Sequence, residues 1–178
     1  MLIAIGDVQG HSLPAAIVMG ELRHALRAYA SEGHDPLAIT GLLNDVLRRF
    51  HPGIIATVGL VLADLATGGL TIVNCGHMPL LLVVGGTARY IGEGGIMLGV
   101  SKHEPHTETA DLPAGGTVLL FTDGLVEDRQ VLLDDNLEKL RAATAEAADL
   151  DVEAFANHVM ALFGPQEDDV AMIVLRRT

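Results

Sequence analysis

Three apolar segments of this 178-residue chain each meet aspartate at one end, where carboxylates could act together. Asp7 and Asp123 each follow one such segment, whereas Asp168 and Asp169 precede a third. If the third segment runs antiparallel to the other two, these carboxylates gather at one edge of a sheet. Because aspartate is also a common turn former, three ordinary turns are the alternative interpretation.

Gathered carboxylates repel one another, and bound cations relieve that repulsion. Hard oxygen ligands select Mg²⁺ or Mn²⁺ over zinc or copper. Two such ions can activate a water molecule as a nucleophile and hold a phosphoryl oxygen against it. If the carboxylates gather, the residues predict metal-assisted phosphoester chemistry at this edge; three ordinary turns predict no such site.

The residues after Asp7 are typical of a binding loop that leads into a helix. Gly10 turns the backbone and Ser12 is a good N-cap. Pro14 suits the first helical turn, because its missing N–H would have no partner there. Ligands often bind at such helix N-termini, although an aspartate that ends a strand is more often a turn former than a metal ligand.

Histidine and cysteine favour structural roles. None of the eight histidines forms a close metal-binding pair, and His103 and His106 fall on opposite faces of a predicted strand. We expect His11 to pack at the entry of the first helix and His77 to hold a turn by hydrogen bonds. Cys75 is the single cysteine, so no intramolecular disulfide can form, and its apolar neighbours predict a buried thiol.

Size and composition restrict the class of protein. The length suits one domain, residues 1–178, and a core of Leu, Val, Ile and Ala, because aromatic residues make up only 3%. The net charge of −12 argues against nucleic-acid binding and permits divalent cations as partners. The single cysteine, the lack of a signal-peptide pattern and the short apolar stretches predict a soluble cytoplasmic protein.

Helices and strands are predicted around these motifs. After the opening strand, apolar spacing predicts helices over residues 13–31 and 36–50. Short β-type segments separated by glycine-rich turns predict an antiparallel meander over residues 55–63, 70–75, 80–84 and 88–91. The remaining predictions are strands over 103–111, 117–122 and 170–175 and helices over 136–147 and 151–163.

Four motifs follow one another in a fixed order, at residues 6–12, 74–79, 122–124 and 167–170. In this order and at this spacing they closely resemble the bacterial SpoIIE-type branch of the metal-dependent protein phosphatase 2C (PPM) family. The resemblance covers essentially the whole chain, including the glycine-rich loop over 95–99. It implies an α+β fold, an α-β-β-α sandwich of two antiparallel sheets flanked by helices.

The resemblance also implies a site. The family hydrolyses phosphoserine or phosphothreonine on proteins through two Mn²⁺ or Mg²⁺ ions, with metal-activated water as the nucleophile. Asp7 matches the ligand that bridges both metals, and Val8 matches a position whose backbone carbonyl binds one of them. Asp123 and Asp168 match the remaining carboxylate ligands of one metal, whereas Asp169 is expected beside the ligands.

One feature departs from the family pattern. The family carries a further acid in a Gly-Gly-Asp-type motif on an upstream hairpin, whereas this chain begins at Met1 within the next strand. We therefore expect one metal to bind weakly or to be lost, and the apolar first strand to pair with another chain as an unprotected edge. A shortened piece of a longer protein and a natural degenerate phosphatase both fit this pattern.

The resulting prediction is a metal-dependent protein serine/threonine phosphatase that acts on a phosphorylated regulatory protein, typically an anti-sigma-factor antagonist. The first alternative is a non-catalytic pseudophosphatase that binds phosphoprotein through an incomplete metal site. The second is a metal-dependent phosphoesterase for small molecules. No nucleic-acid or membrane partner is predicted, and self-association through the first strand is expected.

Overall fold

A computed structural model describes residues 1–10, 12–100, 103–128, 130–163 and 169–178 of the chain. Contacts divide this part of the chain into two compact units. The elements follow in the order β1 (Leu2–Val8), α1 (Leu13–Ser31), α2 (Pro36–Phe50), β2 (Ala56–Ala63), β3 (Gly69–Cys75), β4 (Leu80–Val84), β5 (Thr87–Ile91), β6 (His106–Asp111), β7 (Thr117–Phe121), a 3₁₀ turn (Asp123–Leu125), α3 (Leu133–Glu146), α4 (Val152–Ala161) and β8 (Met172–Arg176).

The first unit comprises Met1–Asp64, Gly69–His77 and Gly92–Ala110. Its strands lie in the order β1-β2-β3-β6, and β2 pairs antiparallel with both β1 and β3. Ser12 and Asp35 begin α1 and α2, because their side-chain oxygens accept hydrogen bonds from the first turn of each helix. β1 lies at one end of the strand order, so among the described residues it is an edge strand.

Aliphatic side chains join the first sheet to α1 and α2. Ile39 and Leu47 of α2 and Leu60 of β2 are fully buried, and Leu22 of α1 and Val73 of β3 belong to the same cluster. Burying each such side chain stabilises the fold by about 2 kcal/mol. The core therefore consists of the aliphatic residues that the composition predicted.

The second unit comprises Leu65–Gly68, Met78–Ile91 and Asp111–Thr178. Its strands lie in the order β5-β4-β7-β8, and each neighbouring pair is antiparallel. Phe121 of β7 and Phe155 of α4 are fully buried in one cluster that also includes side chains of α3. This sheet therefore has its own core with its own pair of helices.

The predicted elements are confirmed with small shifts at their ends. α3 begins at Leu133 rather than at residue 136, and β6 begins at His106 rather than at residue 103. Gly85 and Gly86 form the predicted two-residue hairpin between β4 and β5, with φ angles of 55° and 74°. Within the described part of the chain, no helix combines the length and the hydropathy that a membrane span requires.

The predicted meander is wrong at its centre. β3 and β4 are neighbours in the chain, but they belong to different sheets, and β3 lies beside β6. The cause is the turn after β3, where the side chain of Asn74 bonds the backbone of His77 and so ends the strand before a hairpin can form. The two hairpins on either side of this turn, β2–β3 and β4–β5, are those that the glycine-rich turns predicted.

Candidate metal centre

Asp7 and Val8 end β1, and the strand presents them differently. Asp7 is exposed and lies opposite Thr57 of β2, whereas the Val8 side chain is 3% exposed in the core. A buried aliphatic side chain offers no ligand, so the main-chain carbonyl is the one donor that Val8 could provide to a metal. The alternation of the strand therefore leaves one carboxylate and one carbonyl at this end.

The loop after β1 turns as the sequence predicted. The N–H of Gln9 donates to the carbonyl of Ile55 at 3.1 Å, and Gly10 has a φ of 99°, a conformation that favours glycine. Ser12 Oγ then accepts a hydrogen bond from the N–H of Ala15 at 3.4 Å and caps α1. His11, for which helix-entry packing was expected, lies outside the described residues.

A cavity of about 130 Å³ lies beside Asp7 in the first unit. Its walls are mainly aliphatic and come from β1, β2, α1, α2 and Leu98. Among the described residues that line it, Arg23 of α1 is the one cation, and Thr57 is another polar member. Asp7 therefore lies at the boundary between an apolar cavity and solvent.

Thr57 is bonded to a hydrogen-bond network that includes His77 and the buried Asn74. Thr57 Oγ1 and His77 Nδ1 share a hydrogen bond of 2.9 Å. Asn74 is fully buried; its Nδ2 donates to the carbonyls of His77 and Gly92 at 3.1 Å and 2.6 Å, and its Oδ1 accepts from the N–H of His77 at 2.8 Å. The expected hydrogen-bonding role of His77 in this turn is confirmed.

The glycine-rich loop approaches this network at van der Waals limits. A Cβ atom at Gly95, which has a φ of 83°, would lie 2.1 Å from the carbonyl oxygen of Asn74. At Gly99, a Cβ atom would lie 2.1 Å from the carbonyl oxygen of Ile54. Asn44 Oδ1 accepts a hydrogen bond from the N–H of Gly99 at 2.8 Å. Only glycine allows the backbone to pack this closely.

Cys75 and His103 both interact with Thr40, a buried residue of α2 in the first unit. The Thr40 hydroxyl donates to the carbonyl of Leu37 and shares a hydrogen bond of 3.2 Å with Nε2 of His103. Burial raises the pKa of the Cys75 thiol to about 11, and burial lowers the pKa of His103, although Asp45 opposes that shift. The predicted buried thiol is confirmed, and a neutral thiol is not a metal ligand.

Asp123 begins the 3₁₀ turn of the second unit and is exposed. Its Oδ1 accepts a hydrogen bond from the N–H of Gly124 at 2.9 Å, which orients the carboxylate. Its carbonyl oxygen accepts from the N–H groups of Val126 and Glu127 at 2.8 Å and 2.7 Å. The backbone around Asp123 is therefore fixed on both sides of the turn.

β7 and β8 pair antiparallel, as the hypothesis of a shared edge requires for these two strands. Phe121 lies opposite Met172, and one step further the N–H of Ala171 donates to Thr122 Oγ1 at 2.9 Å. Asp123 and Asp169, which are both exposed, therefore lie at the same edge of the second sheet. Asp168 lies outside the described residues.

The donors fit a hard divalent cation in kind, since Asp7, Asp123 and the Val8 carbonyl offer oxygen. Asp7 and Val8 belong to the first unit, whereas Asp123 and Asp169 belong to the second. Within the described ranges, no group of three or more His, Cys, Asp or Glu side chains could hold a metal ion. The predicted ligand set includes Asp168 and so extends beyond those ranges.

Sequence reasoning missed the supporting residues around these carboxylates. It predicts no role for Asn74 or Thr57, because the type of a polar residue does not reveal which distant groups it will bond. The same holds for Asn136, which is buried and whose Nδ2 donates to the carbonyl of Val126 at 2.8 Å. The signal available for Asn74 is its place near the end of β3, just before the turn at Gly76.

Comparison with known proteins shows similarity along nearly all of this chain. The phosphoserine phosphatase RsbU of Bacillus subtilis is 27% identical over 184 residues, which cover 98% of this chain and 55% of RsbU. The crystal structure of the RsbU and RsbW domains of a Mycobacterium tuberculosis protein has a TM-score of 0.88 at 27% identity, covering 99% of this chain and 51% of that one. The chain thus spans about half the length of these proteins.

More distant structures share the fold. RsbX, solved in complex with magnesium, has a TM-score of 0.74 at 19% identity and covers 97% of this chain and 79% of its own. Solved PP2C-type phosphatase domains also match, which confirms the predicted phosphatase 2C-like fold with its two antiparallel sheets and helices. The chain belongs to the SpoIIE family, described as Stage II sporulation protein E, whose family model matches residues 1–178.

Proposed function

We propose that this protein is a metal-dependent protein serine/threonine phosphatase. Family membership over residues 1–178 and the similarity to a phosphoserine phosphatase support this function. The observation that carries it within the structure is the antiparallel pairing of β7 with β8, because it brings Asp123 and Asp169 to one sheet edge. Repulsion between exposed carboxylates at such an edge favours the binding of divalent cations.

The proposed metal ligands are Asp7, the Val8 carbonyl, Asp123 and Asp168, with Asp169 beside them, in a single phosphatase domain of residues 1–178. These donors are all oxygen atoms, which suits Mn²⁺ or Mg²⁺, and magnesium is present in the RsbX structure of the same fold. When bound, such ions make water a nucleophile at neutral pH and withdraw charge from phosphoryl oxygens.

The residues of the chain position the donors. The hydrogen bond from the N–H of Gly124 to Oδ1 holds the Asp123 carboxylate in one orientation and leaves its second oxygen for a metal ion. Burial of the Val8 side chain fixes the backbone at its carbonyl. Because these oxygen donors are already held in place, they need less reorganisation when a metal ion binds.

The proposed substrate is a phosphorylated regulatory protein of the anti-sigma-factor antagonist type, in the cytoplasm. The support is the likeness to RsbU and to a structure that joins an RsbU domain to an RsbW domain. The net charge of −12 favours a protein substrate over nucleic acid, which the acidic surface would repel.

Hydrolysis of a small aryl phosphate, measured against Mn²⁺ concentration, tests this function. We expect activity that requires the metal and that falls at least ~100-fold in Asp123→Asn, because the variant removes a charged ligand. Asp149→Asn is the matched control, since Asp149 is exposed in the turn between α3 and α4 rather than at the proposed edge. Activity that ignores both the metal and Asp123→Asn would end this assignment.

Two other results would select the alternatives. Tight binding of a phosphoserine peptide without turnover, at saturating Mn²⁺, would favour the pseudophosphatase. Hydrolysis of nucleotides or sugar phosphates, with refusal of phosphoserine peptides, would favour the small-molecule phosphoesterase.

A further inference from the structure

The segment after the 3₁₀ turn exposes apolar side chains that the described fold does not pack. Val131, Leu132 and Leu133 are consecutive, and they are 42%, 74% and 42% exposed. Three adjacent exposed apolar residues are uncommon on a protein surface without a partner. These three residues form what we term the apolar tip.

α3 begins at the apolar tip without the cap that the other α-helices of the described chain have. The side chains of Ser12, Asp35 and Asp151 cap α1, α2 and α4, whereas Leu132 occupies the N-cap position of α3 and its side chain makes no capping hydrogen bond. A hydrophobic staple does not explain the apolar residues at this helix start. A staple pairs the residue before the N-cap, here Val131, with an apolar fourth residue of the helix, and that fourth residue is the polar Asn136. A local rule broken without structural gain is typical of a functional surface.

Hydrogen bonds fix the base of the segment that carries the apolar tip. Asn136, 5% exposed, donates to the carbonyl of Val126 at 2.8 Å and closes the segment. The N–H of Val126 in turn donates to the carbonyl of Asp123 at 2.8 Å. Contacts therefore tie the start of α3 to the turn that holds Asp123.

Carboxylates flank the apolar tip on both sides. Glu127, Asp128, Asp134 and Asp135 are all exposed. Residues 127–135 contain these four acids and one arginine, a net charge of −3. An apolar centre with an acidic rim complements a polypeptide that carries apolar side chains next to lysine or arginine. It does not suit an anionic membrane, which the rim would repel.

We propose that the apolar tip and its acidic rim dock the polypeptide on either side of the phosphorylated residue in a protein substrate. The docked polypeptide carries leucine-type side chains next to lysine or arginine. This inference rests on the proposed phosphatase function and names the class of sequence that it selects. A substrate held by the apolar tip is kept close to the turn of Asp123.

Fluorescence anisotropy without added metal tests docking separately from catalysis. The probe is a short labelled phosphoserine peptide with leucine and lysine on both sides of the phosphoserine. Two matched peptides carry serine in place of leucine, or glutamate in place of lysine. We expect the first peptide to bind at least ~10-fold more tightly than either of the others. Equal binding of the three peptides would overturn the proposal.

Substitution of the apolar tip locates the binding. Leu132→Asp should weaken binding of the leucine–lysine peptide at least ~10-fold, while its Tm stays the same or rises because aspartate can cap α3. Leu65→Asp is the matched control, because Leu65 is a leucine 60% exposed on another turn of the same unit. Unchanged binding in Leu132→Asp, or equal weakening in Leu65→Asp, would contradict docking at the apolar tip.

Two further measurements distinguish peptide docking from self-association and from catalysis. If sedimentation velocity shows a dimer that Leu132→Asp dissolves, the apolar tip binds a second copy of the chain and the proposal fails. Hydrolysis of an aryl phosphate by the wild-type protein, with Mn²⁺, is measured in parallel. Hydrolysis without peptide selectivity removes the docking proposal alone, whereas selectivity without hydrolysis supports docking and removes the phosphatase function.

Discussion

The turn after β3 and the segment after β7 reverse the usual placement of side chains in opposite ways. At the end of β3, where the turn begins, a polar residue is inside: Asn74 is fully buried and bonds the backbone of His77 and Gly92. After β7 an apolar residue is outside: Leu132 is 74% exposed at the start of α3. A buried polar group costs free energy unless it is bonded, and an exposed apolar group contributes none.

This difference distinguishes a residue that the fold requires, Asn74, from a residue that we assign to binding, Leu132. The hydrogen bonds of the Asn74 side chain to His77 and Gly92 satisfy backbone groups that a turn would otherwise leave unpaired, so the fold itself explains this residue. By contrast, nothing in the described fold explains why an apolar residue stands at position 132, where its side chain is mostly exposed and caps no helix. We infer that the buried polar network supports the first unit, whereas the exposed apolar residues serve a partner. Substitutions on each side of this comparison test it.

Gly95→Ala should have the largest effect on stability. A Cβ atom there would lie 2.1 Å from the carbonyl oxygen of Asn74 and 2.7 Å from the backbone nitrogen of His106. We expect the free energy of unfolding in urea to fall by about 4 kcal/mol. Gly94→Ala is the control: its φ is 100° but nothing lies within 4 Å, so only about 1 kcal/mol of backbone strain is expected. Equal losses would show that the close approach does not matter.

Asn74→Ala should have the second-largest effect on stability. It leaves one N–H and two carbonyl groups of the buried backbone without their partner, which lowers the free energy of unfolding by about 3 kcal/mol. Asn44→Ala removes a single bond, to the N–H of Gly99, and should cost about 1 kcal/mol. Denaturant unfolding of both variants measures the ratio. A loss below that of Asn44→Ala would contradict a network centred on Asn74.

Alkaline pH should weaken the same interior through Cys75. Burial raises the pKa of the thiol from 9.0 to about 11, so the unfolded chain ionises first. The thiol's contribution is complete below pH 9 and is lost as the pH rises to about 11, by about 2 kcal/mol. Unfolding of the wild type and of Cys75→Ala across this range isolates the effect. Parallel pH profiles would show that the thiol is not protected.

Leu132→Asp should have the smallest effect on stability, and in the opposite direction. Aspartate can accept a hydrogen bond from the first turn of α3, so the free energy of unfolding should rise by about 1 kcal/mol. A fall of similar size in thermal unfolding would mean that Leu132 contributes to packing. Leu132 would then belong to the core of the second unit rather than to a binding surface.

The sequence predicted what depends on local pattern. Apolar spacing located α1 and α2, and the turn of Gly85 and Gly86 located a hairpin. The antiparallel relation of β7 and β8, on which the shared edge of Asp123 and Asp169 depends, was stated as a condition and is confirmed. The metal ligands Asp7, Val8, Asp123 and Asp168 stay a prediction.

Other features depend on partners that are distant in sequence. The predicted meander is wrong because Asn74 bonds the backbone of His77 and so ends β3; its further bond to the carbonyl of Gly92, 18 residues away, follows from no local pattern. The sequence predicts the start of α3 three residues too late, because Leu132 has none of the capping signals that mark α1, α2 and α4. The uncapped start of α3 also belongs to the exposed apolar tip that we propose as a docking surface.

Calorimetric titration of the protein with Mn²⁺ tests the central claim most directly, because it measures whether distant aspartates share a cation. We expect at least one Mn²⁺ to bind, and Asp7→Asn, Asp123→Asn and Asp168→Asn each to weaken that same binding event by at least ~10-fold. Asp149→Asn should leave it unchanged. Binding that none of the three substitutions alters would contradict the account.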